Sequence, residues 1–197
     1  MNLAILMPAA GASQRMGGRD KLMEPVGGEA LLVRQVRRAL ATGSEVYVTL
    51  RADRPKRAEA LNKVPRARHV WVEKPDEGIA ASIRAGITAL GAPVTALMVL
   101  LPDLPEIEQA DLEAVIASYN KHPGAVLRGA TAQGAPGHPV IFPRAWFGAL
   151  GRLKGDQGAG ALLKGDNIRL HPLPDARALT DLDTPEAWEA WRKRTGL

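Results

Sequence analysis

The sequence predicts an α/β protein built on a largely parallel, three-layer sheet. Short apolar runs alternate with segments whose apolar residues recur at helical spacing, and this alternation is typical of parallel sheets. The run from Ala96 to Leu101 is apolar throughout, as in a central strand that is buried on both faces. A chain of 197 residues can bury a sizeable core, and we expect a single domain over residues 1–197.

The first half of the chain shows the alternation most regularly. Apolar runs predict strands at Leu3–Met7, Val46–Leu50, His69–Val72 and Ala96–Leu101. Helical periodicity predicts helices at Ala30–Leu40, Arg54–Leu61, Ile79–Leu90 and Leu112–Tyr119.

The second half continues the pattern less regularly. Further strands are predicted at Gly124–Thr131, Gly137–Phe142 and Ile168–Leu173. Helices are predicted at Arg144–Leu150, Ala159–Leu163 and Thr184–Arg194, the last with Pro185 in its first turn. We expect the tryptophans to pack in the core or at its rim: Trp71, Trp146, Trp188 and Trp191.

The composition excludes several classes of protein. The absence of cysteine excludes disulfides, thiolate metal sites and a cysteine nucleophile. The first apolar run lacks a basic leader and breaks at Pro8, and no apolar stretch approaches 18 residues. We therefore expect neither a signal peptide nor a membrane span, and a cytoplasmic location.

The net charge of +5 suits an anionic partner. Two groups of cations look like solvated helix and loop positions: Arg34, Arg37 and Arg38, and Arg51, Arg54, Lys56 and Arg57. Few aromatic residues accompany them, so we expect no nucleic-acid binding. A small polyphosphate ligand would need only two or three cations.

The stretch PAAGASQRMGGRDKL, from Pro8 to Leu22, follows the first predicted strand. Ligands of such sheets bind beyond the carboxyl ends of the strands, so the loops after Met7, Val72 and Leu101 should share one crevice. Small residues in this first loop allow a backbone to approach a ligand closely, and two side chains supply positive charge. The small residues are Ala9, Ala10 and Gly11, and the cations are Arg15 and Lys21.

This loop predicts a phosphate cradle of neither common kind. The Walker pattern needs a Ser or Thr after its lysine, and here Leu22 follows Lys21. The dinucleotide pattern GxGxxG is also missing, because Ser13 stands where it has its second glycine. The residues alone also fit a second interpretation, in which the segment is a glycine-rich surface turn whose basic side chains bind no ligand.

The segment AAGASQRMGGRDKL resembles the signature of the MobA-like nucleotidyltransferase family, which includes molybdopterin cytidylyl- and guanylyltransferases and sugar-phosphate nucleotidylyltransferases. Further segments are similar to that family in the same order: EGIAASIRAGI, LPDLPEI, GHPVIF, LKGDQGAGALL and LTDLDTPEAW. GHPVIF and LKGDQGAGALL resemble the cytidylyltransferase branch. The resemblance implies a three-layer, Rossmann-like nucleotidyltransferase fold with a mostly parallel mixed sheet.

The resemblance also implies roles for individual residues. Ala9, Ala10 and Gly11 would lie against the nucleotide, with Gly78 and Ser82 near its base. Arg15 and Lys21 would hold the triphosphate, where cations neutralise the charge on phosphate oxygens. Asp103, alone or with Asp183, would hold Mg²⁺, which takes one or two carboxylates plus substrate phosphates. His138 and Asp156 would face the acceptor.

Several of these residues have a second, purely structural interpretation. Asp103 could be a turn aspartate, Asp183 a helix cap before Pro185, and Asp156 the cap of a short helix. Ser82 could permit close helix packing, and His138 could be a structural hydrogen-bonding group.

The implied reaction is transfer of CMP from CTP to molybdenum-molybdopterin, a phosphorylated pterin, with release of pyrophosphate. A molybdenum hydroxylase would receive the finished cofactor. One alternative is a sugar- or polyol-phosphate cytidylyltransferase, which Pro8 favours slightly. Another is a non-catalytic cofactor carrier or insertion chaperone, which the altered LPDLP turn favours. An NAD-dependent oxidoreductase is disfavoured by the missing glycine fingerprint.

Overall fold

A computed structural model describes residues 2–156, 158–163 and 168–197 of the chain. The strands, in chain order, are β1 (Leu3–Pro8), β2 (Pro25–Val26), β3 (Glu29–Ala30), β4 (Glu45–Leu50), β5 (Arg68–Trp71), β6 (Ala96–Val99), β7 (Val126–Ala130), β8 (Pro136–Pro143) and β9 (Ile168–Pro172). The helices are α1 (Leu31–Ala41), α2 (Pro55–Leu61), α3 (Ile79–Ala89), α4 (Gln109–Asn120), α5 (Phe147–Leu150) and α6 (Pro185–Thr195).

The main sheet of the described chain has seven strands in the order β5-β4-β1-β6-β8-β7-β9. β5, β4, β1 and β6 run parallel to one another, and β7 runs parallel to β9. β8 is antiparallel to both of its neighbours. The predicted mostly parallel mixed α/β sheet is therefore confirmed.

The core lies on both faces of this sheet. Alternate side chains of β1 point to opposite faces, so Ile5 joins the apolar cluster beneath α1, whereas Leu6 joins the cluster beneath α3. Both residues are completely buried. The first-half strands and helices lie close to their predicted positions because burial on both faces makes the strands continuously apolar and burial on one face gives the helices an apolar stripe.

Three local expectations were wrong. The strand after Thr95 ends at Val99, and residues 100–105 form the turn that carries Asp103. The predicted helix Ala159–Leu163 is a short 3₁₀ turn, Ala159–Leu162. Trp71 is 53% exposed, since it ends the edge strand β5, whereas Trp188 and Trp191 are buried.

Helix α6 packs against the loop that follows β1. Trp188 and Trp191 contact each other edge to face, with ring centroids 5.9 Å apart, and share an apolar cluster with Met16 and Leu182. Thr184 accepts a hydrogen bond from the Ala187 N–H and so caps the start of α6. The helix therefore braces the first loop and fixes the segment before it. Among the described helices, none is both long enough and apolar enough to traverse a membrane.

Candidate active site

A cleft of about 740 Å³ opens at the carboxyl ends of the parallel strands. The loops after β1, β5 and β6 line it, as the sequence predicts, together with Arg51, Asp156 and Asp183. β1 and β6 are adjacent and parallel, so the loops that follow them leave the sheet at the same edge. This topology brings Lys21 and Asp103 into one wall of the cleft.

Lys21 joins the two carboxylates that the resemblance assigns to metal binding. Its ammonium contacts Oδ2 of Asp103 and lies 2.5 Å from Oδ1 of Asp183. A backbone hydrogen bond of 3.2 Å from Leu182 N to Asp103 O holds the two acidic segments together. Residues 82 and 162 positions away from Lys21 thus converge on one ammonium.

The charges on this wall shift the pKa values of Lys21 and Asp183. Burial alone would lower the pKa of Lys21, but the charges and hydrogen bonds of Asp103 and Asp183 hold it above the ordinary value. Burial alone would raise the pKa of Asp183, but Lys21 and Arg15 hold it below the ordinary value. Lys21 and Asp183 are therefore both charged at neutral pH.

Arg15 completes the charged wall. Its guanidinium lies 2.5 Å from Asp183 Oδ2, while its side chain is 71% exposed. It belongs to a 3₁₀ turn, Gln14–Met16, whose Met16 is buried beneath α6. The turn is therefore anchored from below, and the exposed guanidinium remains accessible to an anion in the cleft.

The carboxylates fit a divalent cation. Asp103 Oδ1 is buried and has no hydrogen-bond partner among the described residues, although buried polar atoms are normally paired. Within the described residues no group of three or more His, Asp or Glu side chains forms a ready metal site. Two carboxylates completed by phosphate oxygens and water suit Mg²⁺, which rarely has an all-protein cage.

The loop after β1 is held from behind by residues of the neighbouring strand. Ala9 N donates to Thr49 O over 3.0 Å, and the Ala9 methyl packs in the core. Ala9 is completely buried and does not line the cleft, so the expected direct contact between Ala9 and a nucleotide is wrong. Ala10 and Gly11 do line the cleft, as expected.

Two arginines that the sequence analysis placed in solvent are buried instead. Arg57 is completely buried and Arg51 is 6% exposed. Arg51 lines the cleft, where its guanidinium lies 2.5 Å from Asp53 and 3.1 Å from Asp76. The burial of Arg57 does not show in the local sequence, because its partners Asp20, Ala9 and Gly11 are 37 to 48 positions away along the chain. Arg51 pairs with nearby Asp53 but also with Asp76, 25 positions away.

Gly78, Ser82 and Asp156 also line the cleft, and Gly78 and Asp156 lie against each other. Gly78 has φ +82°, and a Cβ there would lie 2.3 Å from Asp156 Oδ1, so only glycine lets the Asp156 segment approach so closely. Gly155 O accepts a hydrogen bond from Ala80 N at the start of α3. Ser82 is 3% exposed and also lines the cleft.

His138 lies near the carboxylates but outside the cleft lining. Val140 pairs with Val99, so His138, two residues earlier in β8, lies beyond the end of β6 on the side of Asp103. Burial, together with Arg128, lowers the pKa of His138, and its Nδ1 has no partner among the described residues. The predicted contact with an acceptor remains a prediction.

A mostly parallel sheet with a charged cleft at the carboxyl ends of its parallel strands is typical of nucleotide-binding α/β proteins. The chain belongs to the MobA-like NTP transferase domain family, whose model matches residues 5–173. That match includes Lys21 and Asp103 but ends before Asp183.

Individual relatives agree with this assignment. The "Probable molybdenum cofactor guanylyltransferase" of Natronomonas pharaonis is 32% identical over 120 residues, 61% of this chain and 58% of the relative's own length. The purine catabolism protein PucB of Bacillus subtilis is 28% identical over 200 residues, 94% of this chain and 93% of PucB. The crystal structure of Rv0371c from Mycobacterium tuberculosis superposes with a TM-score of 0.82 at 26% identity, over 98% of both chains.

Proposed function

We propose that this chain transfers CMP from CTP to molybdenum-molybdopterin and releases pyrophosphate. The convergence of Lys21, Arg15 and two carboxylates on one wall of the cleft carries the proposal. Membership of the MobA-like family supports nucleotidyl transfer. The name of the archaeal relative supports a molybdenum-cofactor acceptor, and a molybdenum hydroxylase would receive the product.

Lys21 and Arg15 would bind the triphosphate. Each already pairs with Asp183, so each can turn toward phosphate oxygens without a large movement of the loop. Asp103 and Asp183 would hold Mg²⁺, which supplies charge screening for phosphates when it is bound. The chain's own cations act on the same charge, which is the main electrostatic demand of phosphoryl transfer.

The acceptor needs alignment rather than activation. Its phosphate oxygen is already anionic at neutral pH, so no general base is required, and a fixed position opposite the nucleotide accelerates the reaction. The wall formed by Gly78 and Asp156 is rigid where Gly155 O accepts from the start of α3. We assign the acceptor to the Asp156 side of this wall and the nucleotide base to the side of Gly78 and Ser82.

The pair Arg51 and Asp76 supports the choice of CTP. Arg51 keeps one Nη1 proton that has no acceptor among the described residues, and Asp76, 3.1 Å from Arg51 Nη2 in the lining of the cleft, offers an acceptor. Cytosine presents acceptors at O2 and N3 beside a donor at N4, the complementary arrangement. Buried Ser82 and Ala10 limit the depth available to a base on the same side.

GMP transfer from GTP is the second candidate function. The printed name of the archaeal relative favours it, and a guanine edge also combines an acceptor with donors. The two candidates share every step at the phosphates and differ only at the base.

Calorimetric titration with CTP and GTP in the presence of Mg²⁺ separates the two candidates. We expect CTP to bind at least tenfold more tightly, a difference of about 1.4 kcal/mol, because the space limited by Ser82 and Ala10 suits a single-ring base better than a purine. A preference for GTP would establish the second candidate, and equal affinities would refute base selection altogether.

Pyrophosphate release tests the reaction itself. Asp103→Asn should abolish release from CTP and the metal dependence of nucleotide binding, since an amide attracts Mg²⁺ far less than a carboxylate. Asp175→Asn is the matched control, because Asp175 is exposed and has a left-handed backbone that Asn tolerates. Binding of CTP without any pyrophosphate release would favour a cofactor carrier over an enzyme.

A further inference from the structure

Arg57 lies directly beneath the loop that follows β1. It belongs to helix α2, and its side chain is completely buried. A guanidinium has five N–H groups, and all five donate here. Nε and one Nη2 proton bind the two oxygens of Asp20 at 2.7 and 2.8 Å. The other Nη2 proton binds Ser13 Oγ at 3.1 Å, and Nη1 binds the carbonyls of Ala9 at 2.5 Å and Gly11 at 2.8 Å.

These bonds join the two ends of the loop. Asp20 Oδ1 also accepts from Leu22 N over 3.1 Å and so caps the short 3₁₀ turn Lys21–Met23. The carbonyls of Ala9 and Gly11 belong to the other end. Arg51 and Arg54 bind the intervening carbonyls of Ala10 and Ala12, but it is Arg57 that ties the backbone of residues 9–13 to the turn that presents Lys21.

The carbonyl bonds also orient backbone donors. In a trans peptide the C=O and the following N–H point in opposite directions. Because the carbonyls of Ala9 and Gly11 point down to Arg57, the N–H groups of Ala10 and Ala12 point up, and both residues line the cleft. Neither N–H donates to an acceptor among the described residues, so both are available to an anion.

We infer that Arg57 is a positioning residue for the triphosphate. Its five N–H groups are all engaged and its side chain is buried, so it does not contact substrate. It acts through others: it aims the N–H groups of Ala10 and Ala12 into the cleft and fixes Lys21 beside Asp103. The inference rests on the proposed function only for the identity of the ligand.

A charge-neutral double variant separates positioning from simple stabilisation. Arg57→Met leaves the buried Asp20 uncompensated, so this single variant should be destabilised. Adding Asp20→Asn removes the orphaned charge and should restore most of the stability in urea denaturation, without restoring the bonds to the loop. Lys56→Met, exposed on the same helix, is the control and should behave like the wild type.

The first readout is the affinity for inorganic tripolyphosphate, measured by calorimetry, because this probe has neither base nor acceptor. We expect the double variant to bind it at least tenfold more weakly than the wild type does at matched stability. We expect Arg57→Lys to fall between the two, since an ammonium has three donors for five acceptors. Wild-type affinity in the restored double variant would overturn the inference.

The second readout is hydrogen exchange of the amides in residues 9–23, which needs no ligand. We expect at least tenfold faster exchange there in the double variant, with unchanged exchange in β6. If the wild-type protein binds no triphosphate, the proposed function fails, and the exchange still decides the role of Arg57. Should the Met variants not fold, Arg57→Lys carries both readouts, and wild-type values in it would refute the inference.

Discussion

Lys21→Met should destabilise the protein by removing the only cation that contacts both Asp103 and Asp183 in the described chain. The substitution keeps most of the apolar stem and deletes the charge, so two neighbouring carboxylates are left facing each other. Removing one partner of a fully buried ion pair costs about 3–5 kcal/mol, whereas an exposed pair contributes about 0–1 kcal/mol. The side chains of Lys21, Asp103 and Asp183 are 18%, 13% and 19% exposed.

This exposure places the expected cost between the two limits. We expect a loss of about 2 kcal/mol, which for a chain of this size corresponds to a fall of about 4–8 °C in Tm. The measurement is urea denaturation in the presence of a chelator, with thermal melts as a second observable. Lys74→Met is the control, because Lys74 is 76% exposed and lies 3.8 Å from Glu77.

A divalent cation should reverse the effect in part. Any ligand that binds only the folded state stabilises it according to its concentration relative to Kd. Without Lys21, Asp103 has lost its cation and Asp183 keeps only Arg15, so the variant should bind Mn²⁺ more tightly than the wild type does. Added Mn²⁺ should therefore raise the Tm of Lys21→Met more than that of the wild type. A variant as stable as the wild type in chelator would refute the view that the ammonium holds these carboxylates together.

Three further predictions follow from local geometry. Gly78→Ala should destabilise the protein and displace the segment of Asp156, because the new Cβ would lie 2.3 Å from Asp156 Oδ1; urea denaturation measures the loss. His138→Gln should reduce the loss of stability as the pH falls below 6.5: burial lowers the folded pKa, so the unfolded chain takes up a proton first, and unfolding at pH 7 and pH 5 tests it. Trp191→Phe deletes the 3.0 Å hydrogen bond to the Glu106 carboxylate and should cost about 1.5–3 kcal/mol, as for a hydrogen bond to a charged group, measured as a fall in Tm.

Each of these predictions has its own contrary result. Gly11→Ala is the control for Gly78, since a Cβ at Gly11 meets nothing within 4 Å; equal losses in the two variants would contradict the crowding argument. An unchanged pH dependence in His138→Gln would show that His138 titrates alike in the folded and unfolded chain. A Trp191→Phe variant with wild-type Tm would mean that water replaces the hydrogen bond without loss.

The parallel half of the fold is predictable because the burial of each strand and helix shows in the apolar pattern of its own residues. A strand such as β1, buried on both faces, must be apolar along its whole length, and α1 must carry an apolar stripe. The antiparallel strand β8 is different, since its partners β6 and β7 are fixed by tertiary packing. The short hairpin of β2 and β3 was not predicted, because two-residue strands show no periodicity.

The candidate site likewise has a part that the sequence predicts and a part that depends on tertiary contacts. The loops after the strands are predictable from topology, which brings Lys21 to Asp103. The role of Arg57 is not predictable, because the sequence of a short helix does not distinguish a buried arginine from a solvated one. The burial of Arg57 depends on the folded loop above it. Asp183 could be connected with Asp103 only through the family resemblance, since the backbone contact from Leu182 spans 79 positions (182 − 103).

The position of α6 sets the order in which the site can be completed during synthesis. The parallel strands and the loop with Lys21 leave the ribosome long before the segment that contains Asp183, and Trp188 and Trp191 follow later still. Until these tryptophans cover Met16, a nascent chain has its sheet but neither the second carboxylate nor the brace beneath the Arg15 turn. The charged wall is therefore completed only after the rest of the sheet has been synthesised.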